Sequence, residues 1–461
     1  MNNVIRCCLL ALILSIVAVD FALAEETFIL ATGRRDPRIY AIDFNAALKS
    51  RKPSPNAIVS RSKVLPDRLD GTPLGDPANI VLSEDNRTAY VSNHHGAVNN
   101  AEFLQHGGRA SVSVMNVKKM ISAKFDNTDL ALEQSYDSGY FGGVGLLVLP
   151  ELLLVSHSEN WLTEDGSNRI SLIDRKTGAR RGQIEMALGH PAHACPDFPV
   201  PFVSPTPPPV VPFLSPDPQF GCWPNPEFIA LGRGSDRKTY LFSGNAGTND
   251  VSVMDLEKAL AGEPVVEIAP RIPVQAGPFG IKASPNGKLI AVTARERADV
   301  DFEGNTISII DVDLARTGSP NAEVARVQVG TDDPEGQTRP FTVAWTPNGR
   351  EIIVANYRSN NVSIVDLRRA LAHDPHAEVA RIPVIRPPET DGTFLPGNPK
   401  GTAVTANGQY AAVSGGPRLA PDAPPSGTVW IINLRSRAVV ATVTGIGNDP
   451  YGLTILEHYE E

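Results

Sequence analysis

The histidines of this chain are concentrated in one stretch of the sequence. Of the nine histidines, six lie between residues 94 and 193: His94, His95, His106, His157, His190 and His193. Imidazole nitrogens are ligands that zinc and copper ions accept, so neighbouring loops that carry histidines can bind such a metal. We expect His94, His95 and His157 to form this set. The alternative is that they are ordinary loop residues, because no ligand motif of fixed spacing accompanies them.

A second group of residues with chemical potential is charged or aromatic and is spread along the whole chain. Guanidinium, carboxylate and phenol groups that converge from several loops can bind a ligand or a protein partner. We expect these residues to lie on one loop-rich face. They are Arg34, Arg35, Glu159, Arg295, Glu296, Tyr357, Arg358 and Arg418.

The elements that must position these side chains repeat seven times. Each repeat contains a five-residue apolar segment that alternates in the manner of a strand and ends in Asp or Asn, a residue typical of turns. The segments are residues 39–43, 112–116, 170–174, 251–255, 307–311, 362–366 and 429–433. Strand-rich units of this kind must stack to bury their apolar faces, so the pattern predicts an all-β fold, a single seven-bladed β-propeller.

The two ends of the chain predict how the ring closes. Residues 450–456 have the pattern of a first strand with nothing after it, whereas residues 28–32 and 38–43 have that of second and third strands with nothing before them. We therefore expect the C-terminal strand to complete the N-terminal blade, which removes the exposed edges of an open sheet.

Two segments resemble the YVTN family of seven-bladed β-propeller repeat proteins. They are residues 90–93 (YVSN) and, more fully, residues 353–366 (IVANYRSNNVSIVD). The resemblance implies the propeller fold over nearly the whole chain. It does not imply one activity, because the family includes surface proteins, subunits of periplasmic dehydrogenases and relatives of lactonases.

The residues that follow the opening prolines of the repeats can be compared with the ligands that a calcium-type lactonase needs. These residues are Ala78, Glu227, Phe279, Phe341, Lys400 and Tyr451. A lactonase of the calcium type needs oxygen ligands at this level, and one acid among aromatic residues and a lysine is a poor match. A multicopper site would need histidines from most blades, which the last three blades lack in these loops. The aromatic rim favours an apolar or mixed ligand, or a partner surface.

Residues 1–24 have the pattern of a signal peptide. Arg6 precedes an apolar run, and residues 22–24 (ALA) match a signal peptidase site. We therefore expect residues 25–461 to form the propeller and the protein to be periplasmic or secreted. No later segment is long and apolar enough to span a bilayer, and the net charge of −9 argues against a nucleic-acid partner.

Cleavage of the signal peptide would remove Cys7 and Cys8. The two cysteines that remain, Cys195 and Cys222, flank a proline-rich segment. In an oxidising compartment a disulfide between them is the expected state. A metal-binding pair assisted by His190 and His193 is the alternative. The segment, at about residues 187–226, is predicted to be an insertion between two blades that forms either a surface loop or a strap for a partner.

Three functions remain open from the sequence. The first is a binding or scaffold protein that uses its loop-rich face for a protein partner or a small ligand, without catalysis. The second is a periplasmic redox enzyme, or the large subunit of a dehydrogenase, with a metal such as copper or zinc bound by histidines. A lactonase-like hydrolase is the third. The sequence has no nucleophile elbow, phosphate loop or haem-attachment pair.

Overall fold

The computed structural model describes residues 26–67, 74–94, 110–158, 168–188, 223–263, 266–296, 302–387, 395–419 and 423–457. Within these residues the chain forms seven antiparallel sheets of four strands each, and one two-stranded hairpin. The sheets are arranged in a ring, because the innermost strand of each contacts the innermost strands of its two neighbours. The prediction of a seven-bladed propeller is confirmed.

The blades follow the chain in order. Blade one contains β1 (Phe28–Thr32), β2 (Arg38–Asp43), β3 (Ile58–Lys63) and the C-terminal β30 (Leu453–Leu456). Blades two to four contain, from the centre outwards, β4 (Pro77–Leu82), β5 (Thr88–Asn93), β6 (Ser111–Asn116) and β7 (Leu132–Asp137); β8 (Gly143–Val148), β9 (Leu152–His157), β10 (Arg169–Asp174) and β11 (Arg180–Glu185); and β12 (Pro226–Arg233), β13 (Thr239–Asn245), β14 (Asp250–Asp255) and β15 (Glu267–Pro273).

The remaining blades have the same order. They contain β16 (Gly277–Ala283), β17 (Leu289–Glu296), β18 (Thr306–Asp311) and β19 (Glu323–Gln328); β20 (Pro340–Trp345), β21 (Glu351–Asn356), β22 (Asn361–Asp366) and β23 (Glu378–Pro383); and β26 (Pro399–Val404), β27 (Tyr410–Gly415), β28 (Thr428–Asn433) and β29 (Ala438–Thr444). The hairpin of β24 (Ile385–Arg386) and β25 (Leu395–Pro396) lies between blades six and seven along the chain.

The repeated apolar segments are the third strands, and they are buried on both faces. In β22, Val362 and Ile364 pack against residues of β27 and β28 in blade seven, while Val365 packs toward blade five. One strand therefore supplies apolar surface to both neighbouring blades. This double burial explains why each segment is almost continuously apolar, and why no blade is stable without its neighbours.

The Asp or Asn that ends each third strand caps the next element, as the turn interpretation predicts. In β22, the Asp366 side chain accepts a hydrogen bond of 2.8 Å from the Arg369 backbone N–H, and Asp174 and Asn433 accept similar bonds in turns. Five of these residues cap short helices: α1 (Phe44–Lys49), α2 (Val117–Met120), α3 (Leu256–Leu260), α4 (Val312–Ala315) and α5 (Leu367–Leu371). Helix α4 was not expected from the sequence.

The seam of the ring lies between β1 and β30, where the two ends of the chain pair. The strands are antiparallel, with Phe28 opposite Leu456 and Ala31 opposite Leu453. The Thr32 N–H donates to the Gly452 carbonyl at 2.9 Å, and the Gly452 N–H donates to the Thr32 hydroxyl at 2.8 Å. The predicted closure by the C-terminal strand is confirmed.

Each inner strand of blades two to seven has an irregular register just after its first residues, for example between Pro340 and Val343 of β20. Such a bulge turns a side chain out of the regular alternation. Phe341 lies at this bulge and meets Val144 of blade three and Phe279 of blade five. Side chains from blades that are not neighbours, such as blades three and six, can meet only near the ring axis, so the residue after the opening proline faces the channel.

Hydroxyl groups on second strands hold the backbone of these channel residues. The Ser92 hydroxyl of blade two donates to the Val144 carbonyl of blade three at 2.8 Å, and the Thr293 hydroxyl of blade five donates to the Phe341 carbonyl of blade six at 3.0 Å. Ser156 bonds the Glu227 carbonyl in the same way. Blades two, three and five thus each fix the channel residue of the next blade.

The inner strands approach one another so closely that some positions require glycine. A Cβ atom added at Gly401 of blade seven would lie 2.2 Å from the Tyr451 carbonyl oxygen of blade one. No described helix has the length and apolar character needed to cross a bilayer. The expected signal peptide, Cys195 and Cys222 lie outside the described residues, as does most of the expected proline-rich insertion, so the disulfide stays a prediction.

Candidate functional site at the channel mouth

Three aromatic side chains close the channel, and we call Phe279, Phe341 and Tyr451 the aromatic plug. The ring centroids of Phe279 and Phe341 are 4.4 Å apart, and Tyr451 meets Phe341 edge-on at 5.0 Å. Both phenylalanines are only 2% exposed. The sequence predicted an aromatic rim open to a ligand. These rings instead cover one another, because seven inner strands leave room at the axis for a few large side chains.

Cations lie on the plug. The Arg295 guanidinium is 4.4 Å from the Phe279 ring centroid, and the Arg34 guanidinium is 4.4 Å from that of Tyr451. The Lys400 ammonium is near the rings of both Tyr357 and Tyr451, at 5.1 and 5.3 Å. Cations are attracted to the faces of aromatic rings, so the plug is a floor that holds positive charge. We call this layer the channel mouth.

On one side of the mouth the charges are matched. The side chains form an alternating chain of ion pairs across blades four to six, in the order Glu227, Arg295, Glu296, Arg339, Glu303 and Arg358. Arg295 is 2.7 Å from Glu296, and Arg339 is 3.1 Å from Glu303. We call these six residues the paired half. Each carboxylate is held by at least one guanidinium, so the network offers little net charge to a ligand.

On the other side, across the described residues of blades seven, one and two, cations outnumber carboxylates. We call these residues the seam half, and they are Arg34, Arg35, Asp76, Lys400, Arg418 and Asp449. Arg34 pairs with Asp76 at 2.7 Å, and Lys400 pairs with Asp449. The Lys400 ammonium also donates to the Gly416 carbonyl at 3.1 Å, two residues before Arg418. The Arg35 guanidinium has no salt bridge or side-chain hydrogen bond to any described residue.

The pKa values in the seam half are shifted first by burial and second by the neighbouring charges. Burial lowers the pKa of Arg35, the Arg418 charge lowers it further, and Asp76 and Asp449 oppose these effects. Burial also lowers the pKa of Lys400 against the attraction of Asp449. Burial raises the pKa of Tyr451 to about 12, and Asp449 adds to this rise. The Tyr451 phenol is therefore neutral at physiological pH, and the cations determine the charge of the seam half.

Several residues at the mouth adopt left-handed backbone angles. Arg339 and Asp449 directly precede the opening prolines of β20 and β30 and have φ values of 52° and 71°, and Arg34 has a φ of 53°. A side chain other than glycine is unfavourable at such angles, and residues before proline ordinarily adopt extended angles. Such strain clusters at functional sites, where the surrounding structure holds it in place. The mouth therefore keeps charged side chains where glycine would cost less.

The last residue of the second strand has a structural role in blades two, four and six. The Asn93, Asn245 and Asn356 amides donate to side chains of the third strand, for example from Asn356 to the Ser363 hydroxyl at 2.7 Å. His157 occupies this position in blade three. Its Nδ1 lies 2.9 Å from the Phe141 carbonyl oxygen and its Nε2 lies 2.9 Å from the Ser171 hydroxyl.

The position of His157 differs from the exposed loop position expected for the three histidines. His157 is buried at the end of β9 rather than exposed in a loop, and burial lowers its pKa to about 3. His94 is also buried, and its Nε2 lies 3.5 Å from the Ser158 hydroxyl. Among the described residues, no three His, Cys, Asp or Glu side chains are grouped to hold a metal. His95 is outside these residues, so the complete three-histidine site stays a prediction.

The structure brings most of the other expected site residues together. Arg34, Arg35, Arg295, Glu296, Tyr357, Arg358 and Arg418 lie at or around the mouth. Arg295 and Glu296 belong to β17 and are buried, rather than lying in a loop. Glu159 is outside the described residues.

Four charged residues of the mouth were not identified from the sequence. They are Asp76, Glu303, Arg339 and Asp449. Three of them precede an opening proline, in the pairs Asp76-Pro77, Arg339-Pro340 and Asp449-Pro450. That repeated position was a signal that could have found them, because the adjoining residue faces the channel. No comparable signal marks Glu303, which reaches the mouth from the segment before β18.

The comparisons with known proteins address the fold. No family model and no curated protein sequence matches the chain. Solved structures that it resembles include a candidate 6-phosphogluconolactonase from Bacteroides fragilis, at a TM-score of 0.55 and 13% identity, covering 94% of this chain and 99% of that one. They also include a periplasmic gluconolactonase from Pseudomonas aeruginosa, at a TM-score of 0.55 and 12% identity, covering 93% and 99%. At these identities the likeness shows the propeller fold.

Proposed function

We propose that the protein is an exported YVTN-like propeller that binds a small organic anion at the channel mouth. The observation that carries this proposal is the seam half, where Arg35 is held beside Arg418 although their charges repel. The whole chain has a net charge of −9. The group of guanidiniums in the seam half is therefore a local feature, opposite in sign to the net charge of the chain. Guanidiniums bind carboxylate and phosphate oxygens in two-pronged hydrogen bonds.

The paired half supports binding rather than catalysis. A general base must be free to approach the proton that it takes up. Each of the five described carboxylates of the mouth is instead held in an ion pair: Asp76, Glu227, Glu296 and Glu303 by arginines, and Asp449 by Lys400. The aromatic plug supplies flat apolar surface next to the cations, which suits a ligand with both a carbon skeleton and a charged group.

Calorimetric titration tests this proposal directly. We expect sodium gluconate or inorganic phosphate to bind at low ionic strength. We expect glucitol, which has the polyol skeleton of gluconate without its carboxylate, to bind at least about tenfold more weakly, the ratio that 1.4 kcal/mol produces. The Arg35→Ala variant should lose the preference for the anion. Absence of binding by both anions, or equal binding of gluconate and glucitol, would contradict the proposal.

Lactone hydrolysis is a second candidate, because solved structures of the same fold carry lactonase names. Opening a sugar lactone produces a hydroxy acid, whose carboxylate is the kind of group that the seam half is built to bind. The measurement is acid release from glucono-δ-lactone in a pH-stat, compared with the spontaneous rate. A rate that the protein does not raise, together with tight gluconate binding, would leave the binding function alone.

A further inference from the structure

The seam half is assembled from both ends of the chain. Arg34 and Arg35 follow β1, and Asp449 precedes β30, whereas Arg418 follows β27 of blade seven. The Arg35 backbone N–H donates to the Asn448 carbonyl at 3.0 Å, and the Asn448 N–H donates to the Gly33 carbonyl at 3.1 Å. The arginines and the C-terminal segment are therefore in register only while the ring is closed.

The seam is the one place where a blade is not covalently continuous. Blades two to seven are each formed by consecutive strands, but blade one depends on hydrogen bonds between β30 and β1. Its inner strand has four residues. Proteins open locally where the units that hold them are small, so β30 is the natural first strand to separate.

Charge repulsion acts at the same place. The Arg418 and Arg34 charges both lower the pKa of Arg35, which means that the closed ring crowds guanidiniums together. Asp76 and Asp449 oppose this repulsion, and each is itself paired with another cation of the seam half. Opening the seam separates Arg35 from Asn448 and its surroundings, and so relieves the repulsion.

These facts specify where the anion binds and what its binding does. Resting on the proposed function, we propose that the carboxylate or phosphate group binds between Arg35 and Arg418, across the seam, and holds the ring closed. The bound anion neutralises the repulsion that favours opening. The subsite exists only in the closed ring, so binding must shift the seam toward closure by mass action. Ligand occupancy and ring closure are one linked equilibrium.

Hydrogen exchange of the β30 amides tests this linkage, in the full-length protein with sodium gluconate and inorganic phosphate as probes. At a ligand concentration of one hundred times the Kd, we expect exchange in β30 to slow by up to about 100-fold. Glucitol at the same concentration, with sodium chloride to match ionic strength, should not slow it. The Arg35→Ala variant should lose the effect, whereas Arg358→Ala, the matched change of an exposed arginine in the paired half, should keep it.

The outcomes separate the two proposals. Calorimetric binding of either anion with unchanged exchange in β30 would overturn the linkage and leave the proposed function in place. Binding that persists unchanged in Arg35→Ala, with a melting temperature near that of the wild type, would overturn the location of the subsite. Absence of calorimetric binding by both anions would overturn the proposed function and the linkage together.

Discussion

The paired half and the seam half of the channel mouth use the same residue types for different purposes. In the paired half, arginine and glutamate alternate so that Glu296 contacts both Arg295 and Arg339, and the network ties blades four to six together. In the seam half, Arg35 is repelled by Arg418. Alternation satisfies charges internally, whereas an excess of one sign among the described residues gives the seam half a net positive charge. In the proposed function, the arginines of the paired half hold the fold and those of the seam half bind the anion.

The largest expected effect comes from removing the strand on which the seam half depends. Deleting residues 450–461 removes β30, and blade one then lacks its inner strand. We expect loss of cooperative folding, because the apolar faces of blades one and two and of blades seven and one lose their cover. Thermal melting followed by circular dichroism measures this. A cooperative transition near that of the intact protein would show that the seam contributes little to the ring.

The next prediction compares the stability lost when one buried ion pair is removed from each half of the mouth. Lys400→Met leaves Asp449 buried without its cation, a change that typically costs about 3–5 kcal/mol. Glu303→Gln in the paired half leaves Arg339 with Glu296 and Arg358 exposed to solvent, so we expect a loss of about 1–3 kcal/mol. Urea denaturation at pH 7 measures both. Equal losses would remove the distinction between a single isolated pair and a redundant network.

A smaller effect of the opposite sign is expected for Arg35. Replacing Arg35 with Gln removes a repelled charge while retaining hydrogen-bonding capacity, so the free energy of unfolding should rise by about 0.5 kcal/mol, the scale of exposed-charge effects. Arg358→Gln in the paired half loses an ion pair at 2.8 Å and should be neutral or slightly destabilised. Low ionic strength should widen this difference, because salt screens the repulsion. A clear destabilisation of Arg35→Gln would mean that Arg35 has a structural role.

The last prediction concerns the pH dependence of stability and separates the channel mouth from the blades. The pKa of His157 is lowered to about 3 in the fold, so the unfolded chain takes up a proton below about pH 6.5 that the folded chain does not. The contribution of His157 is therefore present in full above pH 6.5 and is lost as the pH falls toward 3. His157→Asn introduces the residue that three other blades use, and should cost about 1 kcal/mol at pH 7.

The measurement for His157→Asn is the free energy of unfolding from pH 7 to pH 4. The variant should lose less stability on acidification than the wild type. Asp250 acts in the opposite direction, because burial raises its pKa to about 6, but it is present in both proteins and cancels from the difference. Parallel pH profiles would indicate that another group titrates in this range.

The sequence predicts the ring because each of the seven repeats contains an apolar strand that must be buried on both faces. The segment 362–366 must be buried on two faces, and Asp366 must stop it, so strand and cap can be read from five residues. The site is harder to predict because only some of its residues, those before the opening prolines, share a position in the repeat. Arg295 ends a strand, Arg35 lies in a turn, and Glu303 comes from an irregular segment.

The histidines show that residue type alone does not give the structural role of a side chain. The metal site that includes His157 stays a prediction, and the structure shows that His157 has the place of the asparagines at the ends of other second strands. Comparing the same position across blades, rather than comparing residue types, would have indicated that role. The aromatic residues after the opening prolines were correctly expected at the channel. Their burial as a plug depends on the narrow axis, which the sequence does not encode locally.

The hydroxyl groups that hold the channel residues have a consequence for changing this site. Because the Thr293 hydroxyl of blade five bonds the Phe341 carbonyl of blade six, and Ser156 of blade three bonds the Glu227 carbonyl of blade four, the backbone of these two channel residues is held from the preceding blade. Adjusting the second strand of blade three or five therefore moves a side chain that belongs to its neighbour. A redesign of the channel mouth can begin at Ser156 or Thr293, one layer behind the side chains that face the channel.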